Sequence, residues 1–257
     1  MESHRAPWCR SAPLRLFALE GIPEIVAGDG LAERIAQLSV AQGVQPGDVV
    51  AIAQKVVSKD EGRVVVLADV VVSARAQALA DLTGKDPALC ELIVRESSRI
   101  VRRRASLVIA ETHHGFICAN AGIDASNTAL GTAILLPIDS DRSARRIQGA
   151  VSAAVGGRVG VIVTDTHGRA FRRGLVNVAL GVAGFDAIND CRGETDREGR
   201  VLVATELAFA DELAAAAGIL MGKAAGTPVV VISGVPTRPA PGTVTTLLRE
   251  PGHDLFR

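Results

Sequence analysis

The chain has 257 residues, enough to bury a substantial core without disulfide staples, and its 28 basic and 28 acidic residues cancel. That balance, with six Phe, one Trp and no Tyr, removes both the electrostatic footprint and the stacking surface of a nucleic-acid binder. Cys9, Cys90, Cys118 and Cys191 form no C-x-x-C pair and read as buried thiols of a reducing compartment, which points to the cytoplasm.

Met1 to Arg15 carries Arg5, Arg10 and Arg15 but no continuous apolar region, so it does not read as a signal peptide. Leu14 to Leu19 is expected as a strand running into a Gly21-Ile-Pro23 turn, and Leu31 to Leu38 as a helix with Asp29 as its cap. Val49 to Ala53 is an apolar run suited to a buried strand, with Lys55 and Lys59 just beyond it. The valine-rich stretch from Gly62 to Val72 is expected to be extended. Helices are expected over Ser73 to Leu82 and Pro87 to Arg104, the second ending in the basic run Arg102 to Arg104.

Leu107 to Thr112 and Gly115 to Ala119 predict a hairpin joined at His113 and His114, adjacent residues that would point apart and make a poor metal pair. Asn120 to Asn127 is a small polar loop in which Asp124, Ser126 and Asn127 suit turn capping. Asp139 to Val155 predicts a helix. Gly174 to Asp190 is ambiguous between helix and strand. Val201 to Glu206 predicts a strand, Ala208 to Leu220 a helix and Val229 to Val235 another strand. Residues 236–257 read as a tail that docks at most. The helical run Leu213 to Gly222 is too short to span a bilayer and stops at Lys223. Strands and helices do not alternate, so the predicted class is α+β, with mixed sheets and flanking helices.

Chemistry concentrates at Val161 to Gly174. An apolar run ends in Asp165 and Thr166, hard oxygen donors that suit Mg²⁺ or Mn²⁺, and Arg169, Arg172 and Arg173 follow with the fork geometry that suits phosphate or carboxylate. A strand followed by a solvated basic turn explains the same residues. His167 is a candidate base by position only. Standard nucleotide motifs are missing. Gly218 to Lys223 has the wrong spacing for a phosphate loop and follows a helix, and Gly28-Asp-Gly30 lacks the third small residue of a dinucleotide fingerprint.

Several segments in order nevertheless resemble one family, the coenzyme F420-0:γ-glutamyl ligases. They are Gly21-Ile-Pro23, Lys55-Val-Val-Ser-Lys59 with Glu61-Gly-Arg63, Asn120-Ala-Gly-Ile-Asp-Ala-Ser-Asn127 and Leu135-Leu-Pro137. Thr164-Asp-Thr166 with Gly168-Arg169 and Arg172-Arg173-Gly174, Ala210-Asp-Glu212 and Met221-Gly222 complete the set, which spans residues 14–235. The resemblance implies a catalytic domain over that range in an entwined homodimer of an unusual α+β fold, and a chain ending at Arg257 resembles the stand-alone form.

The implied activity is addition of L-glutamate, with a γ-linked second glutamate as a further option, to the lactyl phosphodiester deazaflavin F420-0. GTP is the implied co-substrate, through an acyl phosphate. The implied metal ligands are Asp124 and Asp165 for one Mg²⁺ or Mn²⁺ and the Thr166 hydroxyl for a second, with K⁺ a further candidate cation. Ile22, Pro23, Glu24, Ile25, Gln54, Lys55, Lys59, Asn127, Met221 and Gly222 would contact the nucleotide. Arg169, Arg172 and Lys223 are the candidates for handling substrate phosphate or the transferred phosphoryl group. Many members place an acid directly after Met-Gly, where this chain has Lys223, which cannot ligate a metal while protonated. A related ligase joining another acid and amine, and a non-catalytic F420-0 or nucleotide binder, are the alternative readings.

Overall fold

The structure is a computed structural model and describes residues 13–223 and 225–254; Cys9 and most of the Met1 to Arg15 stretch lie outside the described residues. In chain order the strands are β1 (Arg15–Ala18), β2 (Val49–Ala53), β3 (Val64–Val66), β4 (Ser97–Arg104), β5 (Leu107–Thr112), β6 (Ile117–Ala119), β7 (Thr132–Ile134), β8 (Gly160–Arg169), β9 (Arg172–Ala183), β10 (Asn189–Asp190), β11 (Glu206–Leu207) and β12 (Val229–Ser233). The helices are α1 (Leu31–Ala41), α2 (Gln54–Asp60), α3 (Ala74–Thr83), α4 (Pro87–Arg95), α5 (Ser140–Val155) and α6 (Phe209–Met221). The architecture is mixed α and β, with several sheets and flanking helices. Among the described residues no helix is long and apolar enough to cross a membrane.

A five-stranded sheet in the order β1-β12-β2-β8-β9 organises the molecule, and only its β2–β8 pair is parallel. The central strands read as unbroken apolar runs because both faces are covered. Alternate side chains point to opposite faces, so Val50 and Ile52 join Val161 and Val163 under α1 and α5, packed with Leu31, Ile35, Ile147 and Val151. Val49 and Ala51 join Ile162, Val230 and Ile232 under α6, whose buried Ala210, Ala214 and Ala217 let the helix come close to the strands. Each fully buried valine or isoleucine contributes about 2 kcal/mol by transfer from water. A third cluster forms between α3, α4 and the smaller sheets, around Leu79, Cys90, Leu92, Ile93 and Val108.

The structure corrects several expectations. The helix expected over Pro87 to Arg104 stops at Arg95, and the rest is β4, the outer strand of a three-stranded sheet β4-β5-β6. Arg102, Arg103 and Arg104 therefore decorate a sheet edge, where charge blocks pairing with other chains, and not a helix end. Of Gly62 to Val72 only Val64–Val66 is a strand, followed by a single 3₁₀ turn. Asp29 does not cap α1: its carboxylate accepts from Val26 N (3.0 Å), while the Leu31 N–H donates to Asp60 Oδ1 (3.3 Å). The strand expected over Val201 to Glu206 is reduced to an isolated bridge at Val201 and the two-residue β11, since Val203 is exposed and has no apolar layer to bury it.

Other features agree with expectation. His113 and His114 sit at the β5–β6 turn, each with its Nε2 within 2.9 Å of a carbonyl oxygen, of Arg95 and Ile138 respectively. Cys90, Cys118 and Cys191 are free and buried. The helix expected over Asp139 to Val155 is α5, with Asp139 as its cap and not its first residue, accepting from the Arg142 N–H (2.8 Å). The ambiguous stretch after Gly174 is the body of β9. Residues beyond Val235 pack back on the sheet: Asp141 accepts from Val182 N (2.8 Å), from the Thr243 hydroxyl (2.6 Å) and from Val244 N (3.1 Å), and Val244 is buried.

Candidate active site

The parallel neighbours β2 and β8 end side by side, with Ala53 opposite Thr164. The residues at and just past the two strand ends are thereby delivered to one place, at the carboxyl edge of the sheet, where open sheets present ligand sites. From β2 come Gln54, Lys55 and Lys59; from β8 come Asp165 and Thr166. They line a cavity of about 640 Å³ together with Ile22, Pro23, Glu24, Ile25, Asn127, Met221, Gly222 and Lys223. A β-bulge in β9 opposite the step from Val163 to Thr164 marks the point where β8 leaves the core and enters the cavity wall.

Lys55 and Lys59 lie one helical turn apart on α2 and staple the 124–127 loop to it. The Lys55 ammonium pairs with Asp124 Oδ2 (2.7 Å) and also donates to Ser126 Oγ (2.7 Å) and Ser126 O (3.1 Å). Lys59 pairs with Glu24 and donates to Asn127 O (3.1 Å). Asn127 adopts a left-handed backbone (φ 54°), and its amide donates to the Lys223 carbonyl (3.2 Å). The turn after α6 is thus tied to the same loop. Gly222 makes that turn at φ 54° and ψ −164°, a conformation in which a side chain would be strained. The Thr227 hydroxyl accompanies it by donating to Leu220 O (2.8 Å).

The electrostatics are unusual at the two aspartates. Burial pushes the Asp165 carboxyl up; His167, the Thr166 N–H and the Lys223 charge oppose that shift, and the Asp124 charge adds to it. For Asp124 burial also acts upward, but hydrogen bonds from Lys55 and Ser126 and the Lys55 charge outweigh it and hold the carboxyl below its ordinary value. His167, 3.8 Å from Asp165 and outside the cavity lining, is pushed down by burial, toward its neutral form, against the pull of Asp165 and Asp211. A buried carboxylate whose ionisation a second carboxylate opposes suits a neighbouring cation.

The chain's own atoms agree with such ligands. Gln54 is buried, its Oε1 accepts from the Ser58 hydroxyl (2.8 Å), and its Nε2 has no hydrogen-bond partner among the described residues, leaving a donor beside the cavity that suits an anionic oxygen. Asp165 and the Thr166 hydroxyl at the cavity wall, with Asp124 beyond Lys55, are all oxygen donors. Among the described residues no group of three or more His, Cys, Asp or Glu is arranged to hold a metal. A set this sparse suits a hard cation that keeps several waters and substrate oxygens, as Mg²⁺ does, and not a fully protein-ligated ion.

The structure gathers Ile22, Pro23, Glu24, Ile25, Gln54, Lys55, Lys59, Asn127, Asp165, Thr166, Met221, Gly222 and Lys223 around one cavity, with Asp124 joined to it through Lys55. It does not bring Arg169 and Arg172 there. Both are exposed at the tip of the β8–β9 hairpin, and at roughly 3.3 Å per residue Arg169 lies about 13 Å along the strand from Asp165. Sequence reasoning missed Asn177, Thr164, Thr227 and Pro228, which also line the cavity. For Asn177 the only signal would have been the hairpin register, which sets it opposite Thr166.

The profile of the F420-0:Gamma-glutamyl ligase family matches residues 21–234. The chain is 45% identical over 249 residues to the Coenzyme F420:L-glutamate ligase of Methanothermobacter thermautotrophicus, covering 95% of this chain and 99% of that protein. It is 43% identical over 252 residues to the protein of the same name from Methanopyrus kandleri, covering 95% and 99%. Against the Halobacterium salinarum protein of that name the identity is 45% over 226 residues, covering 85% and 86%.

Proposed function

We propose, from a chain that belongs to the F420-0:γ-glutamyl ligase family and is an enzyme of the ligase class, that it adds L-glutamate to coenzyme F420-0 with GTP and Mg²⁺ or Mn²⁺. The observation that carries the proposal is the meeting of Lys55, Lys59 and Lys223 with Asp124 and Asp165 at the ends of β2 and β8. Ammonium groups suit the phosphates of a nucleotide, and carboxylates suit a cation that phosphates share.

A carboxylate does not condense with an amine unaided. Transfer of the γ-phosphoryl group of GTP to the F420-0 carboxylate gives an acyl phosphate and GDP. Attack by the glutamate amine on the acyl carbon then forms the amide, releases inorganic phosphate and sheds a proton. Asp124, Asp165 and Thr166 would hold the divalent cation, which supplies neutralisation of the phosphate oxygens when bound. Lys55 and Lys59 would bind nucleotide phosphate, and Gln54 Nε2 would donate to an anionic oxygen. Ile22, Pro23, Glu24, Ile25, Asn127, Met221 and Gly222 would enclose the nucleotide.

Lys223 stands where many members carry an acid, and its ammonium would carry part of the neutralisation that a second metal otherwise supplies; K⁺ is a further candidate cation for the cavity. The hairpin arm that carries Arg169 and Arg172 extends away from the cavity, which favours an entwined homodimer in which these arginines meet substrate phosphate at a partner's site. The free buried thiols suit the cytoplasm.

The test is to incubate the protein with F420-0, L-glutamate, GTP and Mn²⁺ or Mg²⁺ and follow product mass. A gain of one glutamyl unit or more, lost on chelation and on replacing GTP with a non-hydrolysable analogue, is the expected result. GTP turnover only with a different acid or amine would replace the substrate assignment, and binding of F420-0 without conversion would replace the catalytic one.

A further inference from the structure

Asn177 of β9 faces Thr166 of β8 across the hairpin, and antiparallel partners put their side chains on the same face. The Thr166 hydroxyl donates to Asn177 Oδ1 (3.1 Å), and Asn177 Nδ2 donates to the Met221 sulfur (3.5 Å). The two contacts fix the amide's orientation. A thioether accepts and never donates, so the nitrogen must face Met221 and the oxygen must face Thr166. A threonine hydroxyl has one proton and two lone pairs. With the proton committed to Asn177, the Thr166 oxygen offers acceptors only to the cavity.

Gly218 makes room for this arrangement. A Cβ at that position would lie 3.0 Å from Asn177 Cγ and 3.1 Å from Nδ2, tight enough to displace the amide. A side chain at residue 218 would require the Asn177 amide to give by a few tenths of an ångström.

We propose that Asn177, seated by Gly218 and Met221, is a positioning residue that orients the Thr166 hydroxyl as an acceptor and so commits it to a cation, not to a phosphate oxygen. A phosphate oxygen would need the proton that Asn177 holds. The proposal rests on the reading of this cavity as a cation-dependent nucleotide site. It differs from that reading in its prediction, because Asn177 itself should contact neither metal nor nucleotide.

The test is a double-mutant cycle read by Mn²⁺ binding in the presence of GTP, with free Mn²⁺ measured by electron paramagnetic resonance on the intact protein. Asn177→Ala should weaken Mn²⁺ binding about tenfold, the usual loss when the partner of a ligand is removed. In a Thr166→Val background the same substitution should change nothing further. Asn177→Asp, which keeps an acceptor for the hydroxyl, should recover binding to within about threefold. Gly218→Ala, which leaves both side chains present and only crowds the amide, should mimic Asn177→Ala and keeps the test decisive if Asn177→Ala does not fold. Losses that multiply in the double variant, or normal binding by both Asn177→Ala and Gly218→Ala, would overturn the proposal alone. No Mn²⁺ binding by the unaltered protein would overturn the cation site beneath it.

Discussion

Two aspartates serve the β8–β9 hairpin on either side of its bulge, and they are opposites. Asp141 is satisfied within the chain: it accepts from Val182, Thr243 and Val244 and fastens the C-terminal segment to the sheet. Asp165 keeps 17% of its side-chain surface exposed and lines the cavity, yet burial raises its carboxyl, with His167, the Thr166 N–H and Lys223 opposing that shift. An acid whose acceptors are all filled by its own chain holds structure together. An acid whose ionisation is opposed by burial at the wall of a cavity suits a ligand.

The sharpest break in the comparison is expected from Asp165→Asn. Ligation should fall about a thousandfold or more, as expected when a charge that organises the transition state is lost, with far-ultraviolet circular dichroism unchanged. At the other end, Asp141→Ala should leave the catalytic groups in place but strand several backbone and hydroxyl donors, at about 3 kcal/mol. For a chain of this size that corresponds to a melting temperature lower by about 10 °C, with ligation retained at temperatures where the variant is folded.

Smaller effects refine the same contrast. Lys55→Met removes a counter-charge from both Asp124 and the nucleotide, and should raise KM for GTP about tenfold or more while releasing Asp124 toward ordinary titration. The least effect should come from Glu91, which accepts from Ser73 N (2.9 Å), Ser73 Oγ (2.6 Å) and Arg95 Nε (2.7 Å) in the peripheral layer. The Ser73 hydroxyl and amide and the Arg95 guanidinium lower its carboxyl from 4.5 to about 2. Because the folded value lies below the unfolded one, this stabilisation is complete above pH 4.5 and is lost as the pH falls from there toward 2. Melting curves over that range should be flatter for Glu91→Gln than for the unaltered protein.

Much of this was legible in the sequence where one physical cause dominates. Val49 to Ala53 reads as a buried strand because nothing polar interrupts it, and Asp139 to Val155 reads as a helix that opens on acids. Arg102 to Arg104 were misplaced on a helix end, since charge on a solvated edge strand and charge on a solvated helix end look alike along the chain. The cavity residues were found as an ordered set, not from any one spacing, because Lys55 and Asp165 come together through the parallel β2–β8 pairing and Asp124 through its ion pair with Lys55. Asn177 was invisible for a related reason: its role depends on a register that a bulge shifts by one residue. Arg169 and Arg172 were assigned from the fork geometry of their guanidinium groups, which says nothing of where a hairpin carries them along its length.

The most direct measurement is the melting temperature of Asp165→Asn at neutral pH. Folding raises this carboxyl's pKa, so the penalty begins as the pH rises through the ordinary value of 3.8 and is complete above the folded-state value. Asparagine carries no such penalty. The expected result is a melting temperature equal to or above that of the unaltered protein, together with lost ligation; a fall of several degrees would contradict it by making Asp165 a structural acid like Asp141.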